Sequence, residues 1–118
     1  MTRREFERVV KEAVESLPPL LRDKIENVQV MVRESPDRRQ TAEHGSGLYG
    51  LYEGVSLDRR THDFQGALPD RITIFKRSIE RDFPERKAMI RCIQETVIHE
   101  VGHFFGFDDD DLDRMGIG

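Results

Sequence analysis

The sequence predicts an α+β fold, and three observations predict it. Near the N-terminus Phe6, Val9, Val10, Ala13, Val14 and Leu17 recur at helical intervals; around residues 28–33 and 72–75 β-branched aliphatic residues recur at every second position; and towards the C-terminus Ile90, Ile93, Val97, Val101 and Phe104 form a second helical stripe. The chain has 118 residues, and a chain of this size buries about two-thirds of its unfolded surface, enough for one core. Residues 1–118 are therefore read as a single domain. The hydrophobic and charged fractions are both 36%, low and high for a globular protein, but the periodicity of the apolar residues argues against disorder.

Thr2 and Glu5 have the spacing of a capping box ahead of the first helix, and Pro18-Pro19 stops it. A short amphipathic helix follows over Leu20–Ile25. Val28, Val30 and Val32 then alternate with Gln29, Met31 and Arg33 as a half-buried strand that ends at Ser35-Pro36-Asp37. Residues 36–47, rich in charge and turn formers, are expected to be a loop. Leu48–Leu57 reads as a strand interrupted by Gly50 and Gly54, which mark a bulge or the close approach of another backbone. A second loop covers 58–70. Ile72 and Ile74 alternate with Thr73 and Phe75 in a third strand, and Asp82 and Pro84 announce the long helix. Gly106 is placed to close that helix in a left-handed cap, and a last short helix starts among the aspartates, whose charge suits the positive end of a helix dipole.

The formal net charge is −4, from 19 Lys+Arg and 23 Asp+Glu. Asp108, Asp109, Asp110, Asp111 and Asp113 against Arg114 account for all of it, leaving residues 1–107 with 18 of each sign. The absence of a basic excess counts against a nucleic-acid binder, and the pairs Arg38-Arg39 and Arg59-Arg60 read as solvated loop charge. Cys92 is the only cysteine, which excludes an intramolecular disulfide and a multi-cysteine zinc site and fits a cytoplasmic protein. The N-terminus carries no signal-peptide pattern, and no apolar run is long enough to span a membrane.

The chemistry is concentrated in His99-Glu100-Val101-Gly102-His103. Four residues of α-helix turn the chain by about 400°, so His99 and His103 stand one turn apart on one face and can offer imidazole nitrogens to a single metal. Glu100, rotated by about 100°, falls beside the metal position, where a general base belongs. Gly106 lets the chain turn back after the helix, so that Asp109, three residues on, can return as a third donor. At this composition the five-residue pattern has about a 1% chance of arising by accident; with Gly106 and Asp109 the chance is on the order of one in ten thousand. Two imidazoles and one carboxylate leave a fourth position open to water, the arrangement of a catalytic zinc site as opposed to a closed structural one.

His99, Glu100, His103, Gly106 and Asp109 resemble the motif of the Asp-type zincins, and the chain resembles the small bacterial zincin-like metallopeptidases. The similarity runs through Gly50-Leu51-Tyr52-Glu53-Gly54-Val55, Leu68-Pro69-Asp70-Arg71-Ile72-Thr73-Ile74-Phe75 and Thr96-Val97-Ile98-His99-Glu100-Val101-Gly102-His103-Phe104-Phe105-Gly106. It implies a minimal zincin-like fold, with a mixed sheet of three to four strands packed on helices including a long active-site helix. It also implies one zinc ion and a peptide or protein substrate cleaved hydrolytically. In metzincins a third histidine replaces the aspartate and a methionine turn lies beneath the metal; here Met115 is the one methionine downstream, and it is expected to pack a terminal helix.

Further residues are weighed for supporting roles. Glu95 or Thr96, on the face of His99, could orient a ligand; Tyr49, Tyr52, His44, His62 or Arg77 could polarise a substrate carbonyl. The glycine-broken strand at 48–57 is either an edge that pairs with an extended peptide or an internal strand. Two other functions fit the pattern less fully. One is a zinc-stabilised binding module that has lost activity; the other is a metal-dependent endoribonuclease, whose core resembles this motif without Glu100 and with His as the third donor.

Overall fold

In order along the chain, helix α1 (Arg3–Glu15) and helix α2 (Pro19–Lys24) precede strand β1 (Gln29–Arg33), followed by helix α3 (Arg38–His44), strands β2 (Gly50–Glu53) and β3 (Arg71–Phe75), and helices α4 (Lys76–Asp82), α5 (Arg86–Phe104) and α6 (Asp109–Arg114). The structure is a computed structural model that describes residues 1–55 and 70–114. The fold is α+β. Among the described residues its sheet has three strands in the order β1-β3-β2, with β1 parallel and β2 antiparallel to β3, so the mixed sheet expected from the family resemblance is present. No described helix is long and apolar enough to cross a membrane.

The core lies between one face of the sheet and the helices α1 and α5. Phe6, Val9, Val10 and Ala13 of α1 pack with Ile72 and Ile74 of β3 and with Ile93, Val97, Val101 and Phe104 of α5. Phe6, Ile72, Ile74, Ile93 and Val97 are fully shielded from solvent. The predicted N-cap of α1 is half realised: the Thr2 hydroxyl accepts from the Glu5 N–H at 3.1 Å, but the Glu5 carboxylate turns to Arg86 at 3.1 Å, tying α1 to the start of α5.

Two expectations are corrected. Residues 36–47 are not a loop throughout, because Asp37 and Gln40 form a reciprocal capping box, 2.7 Å and 2.9 Å, that starts α3. The two residues stand at capping-box spacing, but the absence of an apolar stripe hid the helix. Among the described residues the strand expected at 48–57 is confined to β2, and a Cβ at Gly50 would stand 2.6 Å from the Thr96 side chain of α5 and 3.3 Å from the Thr73 carbonyl of β3, so a helix and a neighbouring backbone both approach it closely. Helix α4, between the third strand and the long helix, buries only Ser78 and Ile79 and so carries no apolar periodicity in the sequence. The loop expected over 58–70, apart from Asp70, lies outside the described residues, as do His62 and Met115.

Candidate metal centre

His99, Glu100 and His103 lie in the last turns of α5, whose other buried residues include Val97, Val101 and Phe104. The helix is thus fixed by the core on one side while the two imidazoles face a cleft. After α5 the chain reverses at Gly106, which has φ +99. The Gly106 N–H donates to the His103 carbonyl and the Phe107 N–H to the Gly102 carbonyl, each at 3.0 Å. This pairing is the Schellman arrangement that a left-handed residue permits. The glycine cap read from the sequence is present.

The reversal brings α6 back towards the histidines. The Asp108 and Asp111 side chains each accept from the other's backbone N–H, at 2.8 Å and 3.0 Å, forming an acidic cap at the start of α6. Asp109 Oδ1 lies 3.1 Å from Nε2 of His99 and 3.1 Å from Nε2 of His103, while the two Nε2 atoms are 3.0 Å apart. Zinc bonds of 2.0–2.1 Å in a tetrahedral site place neighbouring donors about 3.3 Å apart, so the spacing of these three atoms suits a zinc ion. The chemistry of the donors agrees. His103 Nδ1 lies 2.9 Å from the Phe107 carbonyl, which can only accept. The proton is therefore on Nδ1, and the Nε2 lone pair points at the other donors.

A second carboxylate is close by: an oxygen of Glu100 lies within 4.8 Å of both imidazoles. Its position differs from that of Asp109. Glu100 is 6% exposed, and its Oε1 accepts the Tyr52 N–H of β2 at 2.7 Å. Burial pushes its pKa up, against the opposing influence of His103, His99 and the Tyr52 N–H. A carboxylate already anchored in this way, with a raised proton affinity, is suited to hold and release a proton, whereas the exposed Asp109 oxygen is equidistant from both histidines. The same hydrogen bond uses a backbone donor on the free side of β2, which is an edge strand among the described residues.

The cleft has a volume of about 900 Å³, and its walls include His44, Tyr49, Tyr52, Glu95, Phe107 and Asp108. Of the residues weighed for polarising a carbonyl, both tyrosines already donate to carboxylates: Tyr49 to Asp82 at 2.6 Å and Tyr52 to Asp70 at 2.7 Å. The first bond, reinforced by burial, pushes the Tyr49 hydroxyl up to about 12. Arg77 lies on a different surface, beside Glu34 and Lys76. His44 does line the cleft. Thr96 does not orient a histidine, since its hydroxyl donates to the Cys92 carbonyl at 2.7 Å; Glu95 lines the wall one turn from His99. The partners that do fix the site, the Phe107 carbonyl and the Tyr52 N–H, are backbone groups with no signature in the sequence.

Residues 25–118 match the family model of the zincin-like metallopeptidases. The chain belongs to that family. A search of curated proteins found no match. Membership of the zincin-like metallopeptidases supports a zinc-dependent, peptidase-type function with protein or peptide substrates, and the cluster of His99, Glu100 and His103 is a candidate site for the metal such proteins require.

Proposed function

We propose that the protein is a zinc-dependent hydrolase of peptide bonds, in which His99, His103 and Asp109 hold one zinc ion and Glu100 is the general base. The observation that carries this reading is the convergence of two imidazole nitrogens and one carboxylate oxygen within 3.1 Å of one another, with a buried carboxyl beside them. Bound zinc would supply Lewis-acid polarisation of a carbonyl and lower the pKa of water to about 7. Glu100 takes the proton from the attacking water and later returns it to the leaving amine. Its Oε1 stays on the Tyr52 N–H, which leaves Oε2 for the proton. Strand β2 lines the cleft, and the main-chain groups of Gly50, on the side away from β3, are offered to an extended peptide.

We read residues 1–118 as one domain: α1 precedes the segment matched to the family yet packs against α5. The free, buried Cys92 is in keeping with the cytoplasm. The endoribonuclease reading loses ground, because no Lys or Arg is among the described residues that line the cleft and phosphate backbones call for cationic contacts. Metal analysis of the purified protein, coupled to a mixed-peptide cleavage screen with wild type beside Glu100→Ala, tests the proposal. One zinc per chain in both proteins and cleavage by wild type alone is the expected result. Equal cleavage by both would refute the role of Glu100, and tightly bound zinc without cleavage of any peptide would favour the binding module.

A further inference from the structure

The three proposed donors are held in different ways. His99 and His103 share the frame of a 19-residue helix, whereas Asp109 is 76% exposed and opens a helix of six residues. Its own surroundings do not keep Oδ1 beside the imidazoles. The Asp108–Asp111 cap and the turn at Gly106 shape the segment locally. Leu112 goes further. It is fully buried, and it is seated on α5 at Gly102: a Cβ on that glycine would stand 2.5 Å from Leu112 Cδ2 and 3.4 Å from Cδ1. Leu112 also lies outside the main core cluster, so its contact with α5 is a separate patch of packing.

We propose that Leu112, seated in the notch at Gly102, is the positioning residue for the third metal donor. The inference rests on the assignment of Asp109 as a ligand. Leu112 lies three residues beyond Asp109, almost one helical turn, so fixing its side chain against α5 sets both the distance and the rotation of α6. Gly102 sits between the two histidines of the motif, and a Cβ there would push the Leu112 side chain out of its present position. Loss of the seat frees Asp109 to swing into solvent while both histidines keep their places.

Zinc affinity, measured by competition with a chromophoric chelator, and the visible absorption of cobalt bound in place of zinc test this. The proteins to compare are wild type, Leu112→Ala, Leu112→Met, Gly102→Ala, Asp109→Ala and the double variant Leu112→Ala/Asp109→Ala, each checked by circular dichroism and thermal midpoint. Partners that orient metal ligands are commonly worth 10- to 100-fold in affinity, and Leu112→Ala is expected to fall in that range with an altered cobalt spectrum, while Leu112→Met restores both. Gly102→Ala probes the same contact without hollowing the seat, and it opposes a purely structural explanation, because alanine is the better helix former. It is expected to keep the fold and lose affinity. In the Asp109→Ala background, Leu112→Ala should add no further loss. Additive losses, or wild-type affinity and spectrum in a folded Gly102→Ala protein, would overturn the proposal. Wild-type affinity in Asp109→Ala would instead remove Asp109 from the ligand set, and the proposal with it.

Discussion

Helices α1 and α5 lie against each other but are built on different plans. α1 buries Phe6, Val9, Val10 and Ala13, a single stripe, and leaves its remaining surface to charge. α5 buries nine of its nineteen residues, among them Cys92, Thr96, Glu100 and Gly102, because it meets α1, the sheet, α4 and the turn to α6 on different sides. A helix that buries one face carries a pattern that periodicity reads directly. A helix with several partners and a polar site has a blurred pattern, and its meaning comes from the identity and spacing of particular residues instead.

The largest effect expected from disturbing this contrast belongs to α5. Glu100→Gln keeps an oxygen for the Tyr52 N–H but cannot accept a proton, and general-base catalysis is typically worth 10²–10⁴-fold. Turnover should fall by about that factor with zinc content and thermal midpoint close to wild type; a turnover rate equal to wild type would separate Glu100 from the chemistry. On α1, Phe6→Ala empties a fully buried position and should cost about 3–5 kcal/mol of stability, measurable by denaturant titration. Zinc affinity of the folded fraction should not change, since α1 contributes nothing to the site.

A smaller effect separates α3 from both helices. Glu53 of β2 accepts from Arg39 at 2.6 Å, Arg71 at 2.9 Å and Gln40 at 3.0 Å, clamping α3 to the sheet. Burial raises its pKa, but the three hydrogen bonds outweigh this and bring it from 4.5 down to about 2. A depressed carboxyl stabilises the fold above its unfolded pKa and loses that contribution as pH falls through the folded one. The stability difference between wild type and Glu53→Gln should therefore be full above pH 4.5 and shrink towards pH 2. A difference that stayed constant across that window in acid-dependent melting would show that the charge on Glu53 is not what holds α3. The smallest effect is expected from Thr2→Ala, about 1 kcal/mol for the loss of the α1 cap, with no change in the acid profile.

The same contrast explains what was legible in the sequence. α1, the strands β1 and β3, the left-handed cap at Gly106 and the aspartate-rich start of α6 all follow from local rules that act within a few residues, although β3, the central strand, is buried on both faces instead of alternating. The proximity of His99, His103 and Asp109 also follows from spacing, because one helix and one turn connect them. α3 was missed although Asp37 and Gln40 stand at capping-box spacing, since its buried surface is a glutamine and not a row of aliphatics. Backbone groups such as the Phe107 carbonyl and the Tyr52 N–H were beyond reach, as was the notch at Gly102, where the informative feature is a missing atom opposite a leucine ten residues away.

The parallel pairing of β1 with β3 has a consequence for the order of assembly. Its partners, such as Gln29 and Arg71, are 42 residues apart in the chain, and the contact between Glu100 and Tyr52 spans 48. The proposed metal donors, by contrast, all fall within the eleven residues from His99 to Asp109. Long-range pairings bear their loop-closure entropy before they return any contact energy, whereas α5 and α6 meet across a turn. The three proposed donors are therefore neighbours in the chain, whereas the Tyr52 N–H that holds the proposed base reaches it from strand β2, 48 residues away.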